Sequence, residues 1–247
     1  MRSLSGQSAE MKYLIWDFSE TMGYREGGGW STVLLEILRR ETPDCRVTTE
    51  QIKPFLQEGF PWHQPERPHP ELSTPDAWWD NLDPIFARAF MMGGGLNGST
   101  AHRLARMVRQ VCPERSAWRL YDDTLRVLAH LSTDGWIHIA LTNHIPELPA
   151  IFDYLGLSPH FAALFNSAQT GYEKPHPQAF GKVLAWMSEP KAIWMIGDNY
   201  TADILGAEAQ GIPGILVRKT DPRACYCCAD LSGVVGVVSQ RTGQIHI

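Results

Sequence analysis

Two apolar, strand-like runs that each end in an aspartate constrain the fold of this chain most strongly. Residues 12–16 are followed by Asp17, and residues 192–196 are followed by Gly197 and Asp198. Short apolar runs of this kind are typical of strands buried in a parallel sheet. Because ligands bind at the carboxyl ends of such strands, we expect both aspartates to lie at one edge of the sheet and to form part of a site.

Strand-like and helix-like segments alternate through much of the chain, which predicts an α/β fold with a Rossmann-like parallel sheet. The predicted strands are residues 13–16, 136–141, 161–165, 192–196 and 214–217. The predicted helices between and after them are residues 121–132, 146–155, 177–187 and 201–210. The tail, residues 225–238, is apolar and partly β-branched, and it predicts a further edge strand.

Residues 24–115 break this alternation. Four stretches in this segment have helical patterns: residues 31–40, 48–57, 77–90 and 99–112. We interpret the segment as a helical cap inserted into a core domain formed by residues 1–23 and 116–247. The glycines at 27–29 lie near its entrance, where they would act as a hinge.

The composition excludes several classes of protein. The net charge of −5 argues against a nucleic-acid-binding surface, and the sequence contains no apolar stretch long enough to cross a membrane. No secretory signal is apparent, so we expect a cytoplasmic protein, with residues 1–10 as a loose tail. Cys225, Cys227 and Cys228 lie too close together for a disulfide framework and are interpreted as structural thiols.

Polar residues suited to phosphoryl transfer fall at or just after the predicted strand ends. Asp17 follows the first strand, Thr142 follows the second and Asp198 follows the fourth, while Lys174 lies in a loop before a helix. These residues offer a carboxylate nucleophile, a hydroxyl donor, a second carboxylate and an ammonium group. Phosphoryl transfer needs an in-line nucleophile and neutralisation of charge on the phosphoryl oxygens, and this set can supply both.

Taken in order, these motifs resemble those of the haloacid dehalogenase-like (HAD) hydrolase superfamily. They stand here as Asp17-Phe18-Ser19-Glu20-Thr21, Thr142-Asn143, Lys174-Pro175 and Gly197-Asp198-Asn199-Tyr200-Thr201-Ala202-Asp203. The resemblance covers residues 12–24 and 116–238, and residues 24–115 lie where this superfamily carries its helical C1 cap. It implies a hydrolase, most simply a phosphatase acting on a small phosphate monoester.

The resemblance also implies a role for each motif residue. Asp17 would be the nucleophile that forms an aspartyl-phosphate, and Lys174 would neutralise charge on Asp17 and the phosphoryl group. Mg²⁺ would be held by Asp17, the backbone carbonyl of Ser19 and Asp198. Thr142 and Asn143 would bind the substrate, and Asp203 would support Lys174 or the metal site.

Ser19 departs from the superfamily pattern, because the phosphatases have an aspartate there that protonates the leaving group. A serine hydroxyl is a poor acid near neutral pH. Three interpretations remain open: the enzyme acts slowly or on good leaving groups, another group such as Glu20 or His144 supplies the proton, or the protein only binds a phosphorylated ligand or a protein partner. Glu20 could equally be a solvated side chain, and His144 could cap the helix predicted near Pro146.

Other chemistries of the superfamily fit less well. Dehalogenases do not need Mg²⁺ and usually lack the Gly-Asp pair found here at Gly197 and Asp198. Phosphonate-cleaving members use a cap lysine, and Lys53 is the one lysine in residues 24–115. Substrate choice would depend on the cap, where four aromatic residues could line a pocket. Alternatively, the two adjacent tryptophans among them pack the core of the cap. These residues are Trp62, His63, Trp78 and Trp79.

Overall fold

The computed structural model describes residues 11–240, and eight strands form within that range. They are β1 (Met11–Trp16), β2 (Gly23–Arg25), β3 (Trp118–Leu120), β4 (Trp136–Thr142), β5 (Phe161–Asn166), β6 (Pro190–Gly197), β7 (Gly214–Val217) and β8 (Cys227–Cys228). Six of them make a sheet in the order β5-β4-β1-β6-β7-β8, and every neighbouring pair is parallel. The predicted Rossmann-like sheet is therefore confirmed.

Ten α-helices accompany the strands in the described part of the chain. They are α1 (Trp30–Glu41), α2 (Thr49–Ile52), α3 (Pro75–Met92), α4 (Gly98–Val111), α5 (Thr124–Thr133), α6 (Leu148–Tyr154), α7 (Ser167–Thr170), α8 (Pro177–Trp186), α9 (Gly206–Glu208) and α10 (Leu231–Gln240). A π-helix (Tyr200–Leu205) leads into α9. The 3₁₀ turns are Lys53–Leu56, Pro61–His63, Pro70–Leu72, Arg115–Ala117 and Ser158–His160.

Helices cover both faces of the sheet. Since successive side chains of a strand point to opposite faces, each strand contributes side chains to two apolar clusters. In β1, Leu14 and Trp16 belong to one apolar cluster, whereas Tyr13 and Ile15 belong to the other. The first cluster includes side chains of α5, α6 and α10, and the second includes side chains of α8 and α9. This arrangement explains the continuous apolar runs that predicted the strands.

Helices α1–α4 form the helical insert between β2 and β3. These two strands pair antiparallel, with Tyr24 opposite Arg119. The two connections between the insert and the rest of the chain therefore lie side by side. Apolar residues of all four helices are buried in the same cluster that covers one face of the sheet. The division into a core domain and a cap domain stays a prediction.

The tail differs from the prediction. Only Cys227–Cys228 forms an edge strand, while residues 231–240 form α10. Leu231, Val234 and Val238 are buried at helical spacing against the sheet face, so packing on the core outweighs the strand preference of the valines. The predicted N-terminal tail, residues 1–10, lies outside the described residues. Within residues 11–240, none of the helices has the length and apolarity needed to span a membrane.

Candidate active site

Asp17 lies directly after β1, at the carboxyl edge of the sheet. Its backbone N–H donates a hydrogen bond to the Ile196 carbonyl at 2.9 Å, which continues the pairing of β1 with β6 past the end of the strand. The next residues form a tight turn in which the Phe18 carbonyl accepts from Met22 N–H at 2.9 Å. The backbone of Asp17 is therefore fixed on both sides, and the residue is 7% exposed.

Lys174 joins two of the predicted site residues. Its Nζ lies 2.7 Å from Oδ1 of Asp17 and 2.6 Å from Oδ1 of Asp203, and its side chain is almost completely buried. Burial disfavours the ammonium, but the two carboxylates outweigh burial and raise the pKa of Lys174. The ammonium thus remains charged beside the proposed nucleophile.

Asp203 is brought to this pair by the π-helix that follows β6. Asn199 starts the helix by accepting hydrogen bonds from two backbone N–H groups, and Asn199 N–H donates to Oδ2 of Asp203 at 3.0 Å. Burial raises the pKa of Asp203 to about 7, although the Lys174 ammonium acts in the opposite direction. Both carboxyl oxygens accept hydrogen bonds, which favours the ionised form.

Gly197 is required by the approach of Asp203. A Cβ at position 197 would lie 2.1 Å from Oδ2 of Asp203, which is far inside van der Waals contact. The glycine at the end of β6 and the aspartate six residues later are therefore a matched pair, since the small residue makes room for the carboxylate that binds Lys174.

Asp198 faces Asp17 across the hydroxyl of Thr21. Oγ1 of Thr21 lies 3.1 Å from Oδ2 of Asp17 and 3.4 Å from Oδ1 of Asp198. Burial raises the pKa of Asp198 and the charge of Asp17 raises it further, while Lys219, whose Nζ lies 2.5 Å from Oδ2 of Asp198, lowers it. Two carboxylates that repel one another thus lie on either side of the Thr21 hydroxyl, and Lys219 forms an ion pair with Asp198 alone.

The structure separates the predicted roles of Thr142 and Asn143. Asn143 forms a two-point clamp on the backbone of Lys174: its Nδ2 donates to the Lys174 carbonyl at 2.9 Å and its Oδ1 accepts from Lys174 N–H at 2.7 Å. Thr142 lies at the end of β4 and its buried Oγ1 has no hydrogen-bond partner among residues 11–240. Asn143 therefore positions the lysine loop, and Thr142 keeps a free hydroxyl.

Ser19, Glu20 and His144 all line the same cavity as Asp17. Glu20 adopts a left-handed backbone conformation with φ of 59°, and its carboxylate accepts a hydrogen bond from Tyr121 Oη at 2.9 Å. His144 does not cap a helix, because α6 begins only at Leu148. Its ring packs against Phe18 and Trp118, and burial lowers its pKa to about 4, so it is neutral at neutral pH.

The cavity has a volume of about 480 Å³ and lies between the sheet edge and the helical insert. Trp62 lines it, whereas His63 does not, and Trp78 and Trp79 are buried in the apolar cluster as the packing alternative predicted. Lys53 is exposed, lies 3.8 Å from Glu50 and is not among the lining residues. The structure therefore gives no support to an imine-forming lysine at position 53.

The carboxylates of the site fit a hard cation. Oxygen atoms of Asp17, Asp198 and Asp203 lie within 4.8 Å of one another, and all three residues are buried. Mg²⁺ prefers oxygen ligands and retains several waters, so two of these carboxylates and a backbone carbonyl suffice. The ammonium groups of Lys174 and Lys219 lie against these carboxylates.

Sequence reasoning missed several residues of the site. Thr21 stands within the first motif, but no role was assigned to its hydroxyl. Lys219 comes two residues after β7, so the rule that ligand-binding residues follow parallel strands could have found it. Trp30 and Trp118 line the cavity, but their positions depend on how the insert packs against the sheet, and no local pattern indicates that.

Comparison with known proteins agrees with this geometry. The model of the haloacid dehalogenase-like hydrolase family matches residues 76–211, more than half of the chain. A phosphoserine phosphatase from Thermus thermophilus is 29% identical over 161 residues, covering 63% of this chain and 64% of its own. The human haloacid dehalogenase-like hydrolase domain-containing protein 3 is 28% identical over 145 residues, covering 58% of this chain and 57% of its own. The match thus spans about three fifths of these relatives.

Solved structures share the fold over nearly the whole chain. The HAD-hydrolase YfnB from Bacillus subtilis, described as bound to magnesium, superposes with a TM-score of 0.65 at 19% identity, covering 93% of this chain and 99% of its own. The L-2-haloacid dehalogenase from Xanthobacter autotrophicus gives a TM-score of 0.64 at 16% identity, with the same coverage. The fold is thus common to different chemistries, and the family match makes the assignment: this chain belongs to the haloacid dehalogenase-like hydrolase family.

Proposed function

We propose that this protein is a phosphatase that hydrolyses a small phosphate monoester through an aspartyl-phosphate on Asp17. The observation that carries the proposal is the bridge made by Lys174, whose Nζ lies 2.7 Å from Asp17 and 2.6 Å from Asp203. A carboxylate held beside a buried ammonium is poised to attack a phosphorus atom whose oxygens the same ammonium can neutralise. The free Oγ1 of Thr142 is the proposed donor to a phosphoryl oxygen.

Mg²⁺ is the proposed cofactor, and it would be held by Asp17, Asp198 and the Ser19 carbonyl. The oxygen donor set supports this assignment, and a structural neighbour is described as bound to magnesium. When bound, the ion would neutralise charge on the phosphoryl group. Lys219 occupies one oxygen of Asp198, so metal binding would compete with this contact or share the carboxylate.

Phosphatase chemistry is favoured over dehalogenation by Asp198. A dehalogenase of this fold needs no metal, whereas Asp198 adds a second carboxylate oxygen within 4.8 Å of those of Asp17 and Asp203, a donor set that suits Mg²⁺. Similar curated proteins are named as phosphatases, among them a phosphoserine phosphatase and a ribulose-1,5-bisphosphate 5-phosphatase from Halopiger xanaduensis. We further propose that residues 24–115 act as the cap, because Trp30 and Trp62 of this segment line the cavity with Asp17.

A second candidate function is the binding of a phosphorylated ligand or a protein partner without turnover. Ser19 favours it, because general acid catalysis by a side chain is typically worth about 10²–10⁴-fold and serine cannot supply it. The two candidates differ in one respect that can be measured, which is the formation of a covalent intermediate on Asp17.

The test is phosphate release from a panel of monoesters in the presence of Mg²⁺, together with acid-quench trapping of labelled phosphate on the protein. We expect turnover and labelled protein for the wild type, and neither for Asp17→Asn. Asp134→Asn, at a surface position outside the cavity, is the matched control and should behave as the wild type. Absence of turnover across the panel, with no labelled protein, would leave only the binding function.

A further inference from the structure

We propose that Glu147 is a positioning residue, which binds Trp79 of the insert and thereby sets the position of Lys174. This inference rests on the proposed phosphatase function, because the position of Lys174 affects turnover only if Asp17 reacts. Neither Glu147 nor Trp79 is among the residues that line the cavity, so both act through other residues.

The bond between Glu147 and Trp79 crosses from the edge of the sheet to the insert. Trp79 lies in α3 and is 2% exposed, and Glu147 immediately precedes α6. Nε1 of Trp79 donates a hydrogen bond to Oε1 of Glu147 at 2.9 Å, between residues 68 positions apart. The adjacent Trp78 is similarly buried, but its Nε1 has no partner among residues 11–240. This bond therefore distinguishes two neighbouring tryptophans of the same helix.

Glu147 is held in a way that stability alone does not explain. Its Oε2 is buried and has no hydrogen-bond partner within residues 11–240, so one oxygen of the side chain is unsatisfied. A buried carboxyl group with an unpaired oxygen is costly, whereas two apolar side chains of similar shape can replace a hydrogen-bonded pair at little cost. The glutamate is therefore better explained by what its bond positions than by its contribution to folding.

The loop that ends at Glu147 carries the clamp on Lys174. Asn143, at the start of this loop, donates from Nδ2 to the Lys174 carbonyl at 2.9 Å and accepts from the Lys174 N–H at 2.7 Å. Only three residues separate Asn143 from Glu147, so a displacement of the backbone at Glu147 also moves Asn143. The position of the lysine loop thus depends on both ends of residues 143–147.

The rest of the loop is held from the side of the sheet. Side chains of β5 and α7 bond its middle, at the His144 N–H and at the Ile145 carbonyl. Within the range 11–240, Glu147 makes the one hydrogen bond between this loop and the insert. Removal of that bond therefore leaves the loop fixed by hydrogen bonds on one side only.

Trp79 also connects the loop with the wall of the cavity. Trp30 lines the cavity, and its ring lies in edge contact with that of Trp79, with centroids 6.2 Å apart and an interplanar angle of 73°. Aromatic pairs in this arrangement attract one another beyond the burial of their surfaces. The side chains of Trp30, Trp79 and Glu147 therefore form continuous contacts from the cavity wall to the loop that fixes Lys174.

Loss of the bond should affect turnover more than substrate binding. Nζ of Lys174 lies 2.7 Å from Oδ1 of Asp17, and misplacement of a reacting group by about 1 Å can lower a rate about 10²-fold. A loop that loses one of several hydrogen bonds is loosened and not released. We therefore expect kcat to fall by about 3–10-fold, the range that a single net hydrogen bond implies, and KM to change by less than about 2-fold.

The first test measures phosphate release by Glu147→Leu, Trp79→Phe and Glu147→Gln. Leucine removes the acceptor and phenylalanine removes the donor, so both variants should show the lower kcat. Glutamine keeps an oxygen acceptor and should stay within about 2-fold of the wild type. Trp78→Phe is the matched control, because it makes the same change in a buried ring whose Nε1 has no bond to lose. The inference is overturned if Trp78→Phe is as slow as Trp79→Phe, or if the glutamine variant is as slow as the leucine variant.

The double variant Trp79→Phe/Glu147→Leu separates positioning from stability. Both partners are apolar in this variant, so the midpoint of thermal unfolding should return toward that of the wild type. The value of kcat should stay as low as in the single variants, because the loop still lacks its bond to the insert. Recovery of kcat together with the midpoint would show that the pair acts only through stability, which contradicts the inference.

Hydrogen exchange at Lys174 separates this inference from the proposed function, because the measurement needs no turnover. The Lys174 N–H donates to Asn143, so its exchange rate reports on the clamp. We expect exchange to be about 3–10-fold faster in Glu147→Leu and Trp79→Phe than in the wild type and Trp78→Phe. Wild-type exchange in both variants would overturn the positioning role. If the wild type hydrolyses no ester but exchange responds as expected, the phosphatase function is overturned and the link from Glu147 to Lys174 stands.

Discussion

Lys174 is the central cation of the candidate active site. Its buried ammonium is the shared partner of Asp17 and Asp203, and Asn143 fixes the backbone from which it extends. A buried charge is tolerated in a protein when it is paired and hydrogen-bonded, and it becomes costly when one partner is removed. The residue is therefore expected to matter for folding as well as for turnover.

Replacing Lys174 by methionine should separate its charge from its size. We expect Lys174→Met to abolish turnover and to lower the free energy of unfolding by about 3–5 kcal/mol, because two buried carboxylates lose their cation. Urea denaturation measures the stability change. Lys53→Met, at an exposed position with a long contact to Glu50, should change stability by less than about 0.5 kcal/mol. If Lys174→Met unfolds at the same urea concentration as the wild type, the carboxyl groups of Asp17 and Asp203 become protonated when the lysine is removed.

At the residue scale, the sequence predicted those site residues that follow strands or stand in ordered motifs. Asp17 and Asp198 come directly after β1 and β6, so the parallel sheet alone brings them to one edge. The environment of His144 could not be predicted in the same way, because its burial depends on Phe18 and Trp118, which come from distant parts of the chain.

At the scale of elements, a buried pair joins the insert to the loop that carries Lys174. His69 Nε2 lies 3.1 Å from Oε1 of Glu173, and His69 N–H donates to the Gly171 carbonyl at 2.9 Å. Gly171 has φ of 76°, and a Cβ there would lie 2.8 Å from Pro70 Cα, so only glycine permits this approach. Glu173 immediately precedes Lys174, and the insert thus helps to hold the lysine loop.

A double-mutant cycle on His69 and Glu173 measures this link. We expect His69→Ala and Glu173→Ala to be coupled by about 1–3 kcal/mol in unfolding free energy, because the two side chains are in direct contact and a buried polar group left without its partner is costly. Both variants should also lower kcat/KM, since the lysine loop loses its support. Arg88 and Glu58 form an exposed pair at the same distance of 3.1 Å, and their coupling should stay below about 1 kcal/mol. Equal coupling in the two cycles would contradict a special role for the buried pair.

The sequence predicted this element-scale organisation only in part. Periodicity located α1, α3 and α4 to within two residues, because their buried faces repeat at helical spacing. The helix predicted over residues 48–57 is wrong in length, since α2 ends at Ile52 and a 3₁₀ turn that contains Pro54 follows it. The contact between His69 and Glu173 joins residues 104 positions apart, and neither stands in a motif. For α10, the spacing of Leu231, Val234 and Val238 was a helical signal that the β-branched composition obscured.

At the scale of the whole molecule, two apolar clusters on opposite faces of the sheet account for the α/β fold. The alternation of segments in the sequence predicted this architecture, since each apolar run must be covered on both faces. One polar residue is buried within the larger cluster and was not singled out in the sequence. His138 of β4 is 1% exposed, and its hydrogen bonds reach β1 and α5.

The hydrogen bonds of His138 require the neutral ring. Nδ1 accepts from Trp16 Nε1 at 2.9 Å, so the proton is on Nε2, which lies 3.1 Å from the Leu128 carbonyl. A second proton on Nδ1 would face the N–H of Trp16. Burial accordingly lowers the pKa of His138 to about 4. An unfolded histidine has a pKa of about 6.5, so between these values the unfolded chain binds the proton and the folded chain does not.

The free energy of unfolding should therefore fall as the pH decreases from about 6.5 to about 4. The loss attributable to His138 is about 3 kcal/mol, because each pH unit in this window costs about 1.4 kcal/mol per proton. Urea denaturation at intervals from pH 7 to pH 4 measures it, and His138→Gln should show a shallower pH dependence than the wild type. Residual dependence is expected in that variant, since burial also lowers the pKa of His144 to about 4. His130→Gln, at an exposed position, should keep the wild-type dependence. Parallel curves for His138→Gln and the wild type would show that His138 is protonated in the folded protein.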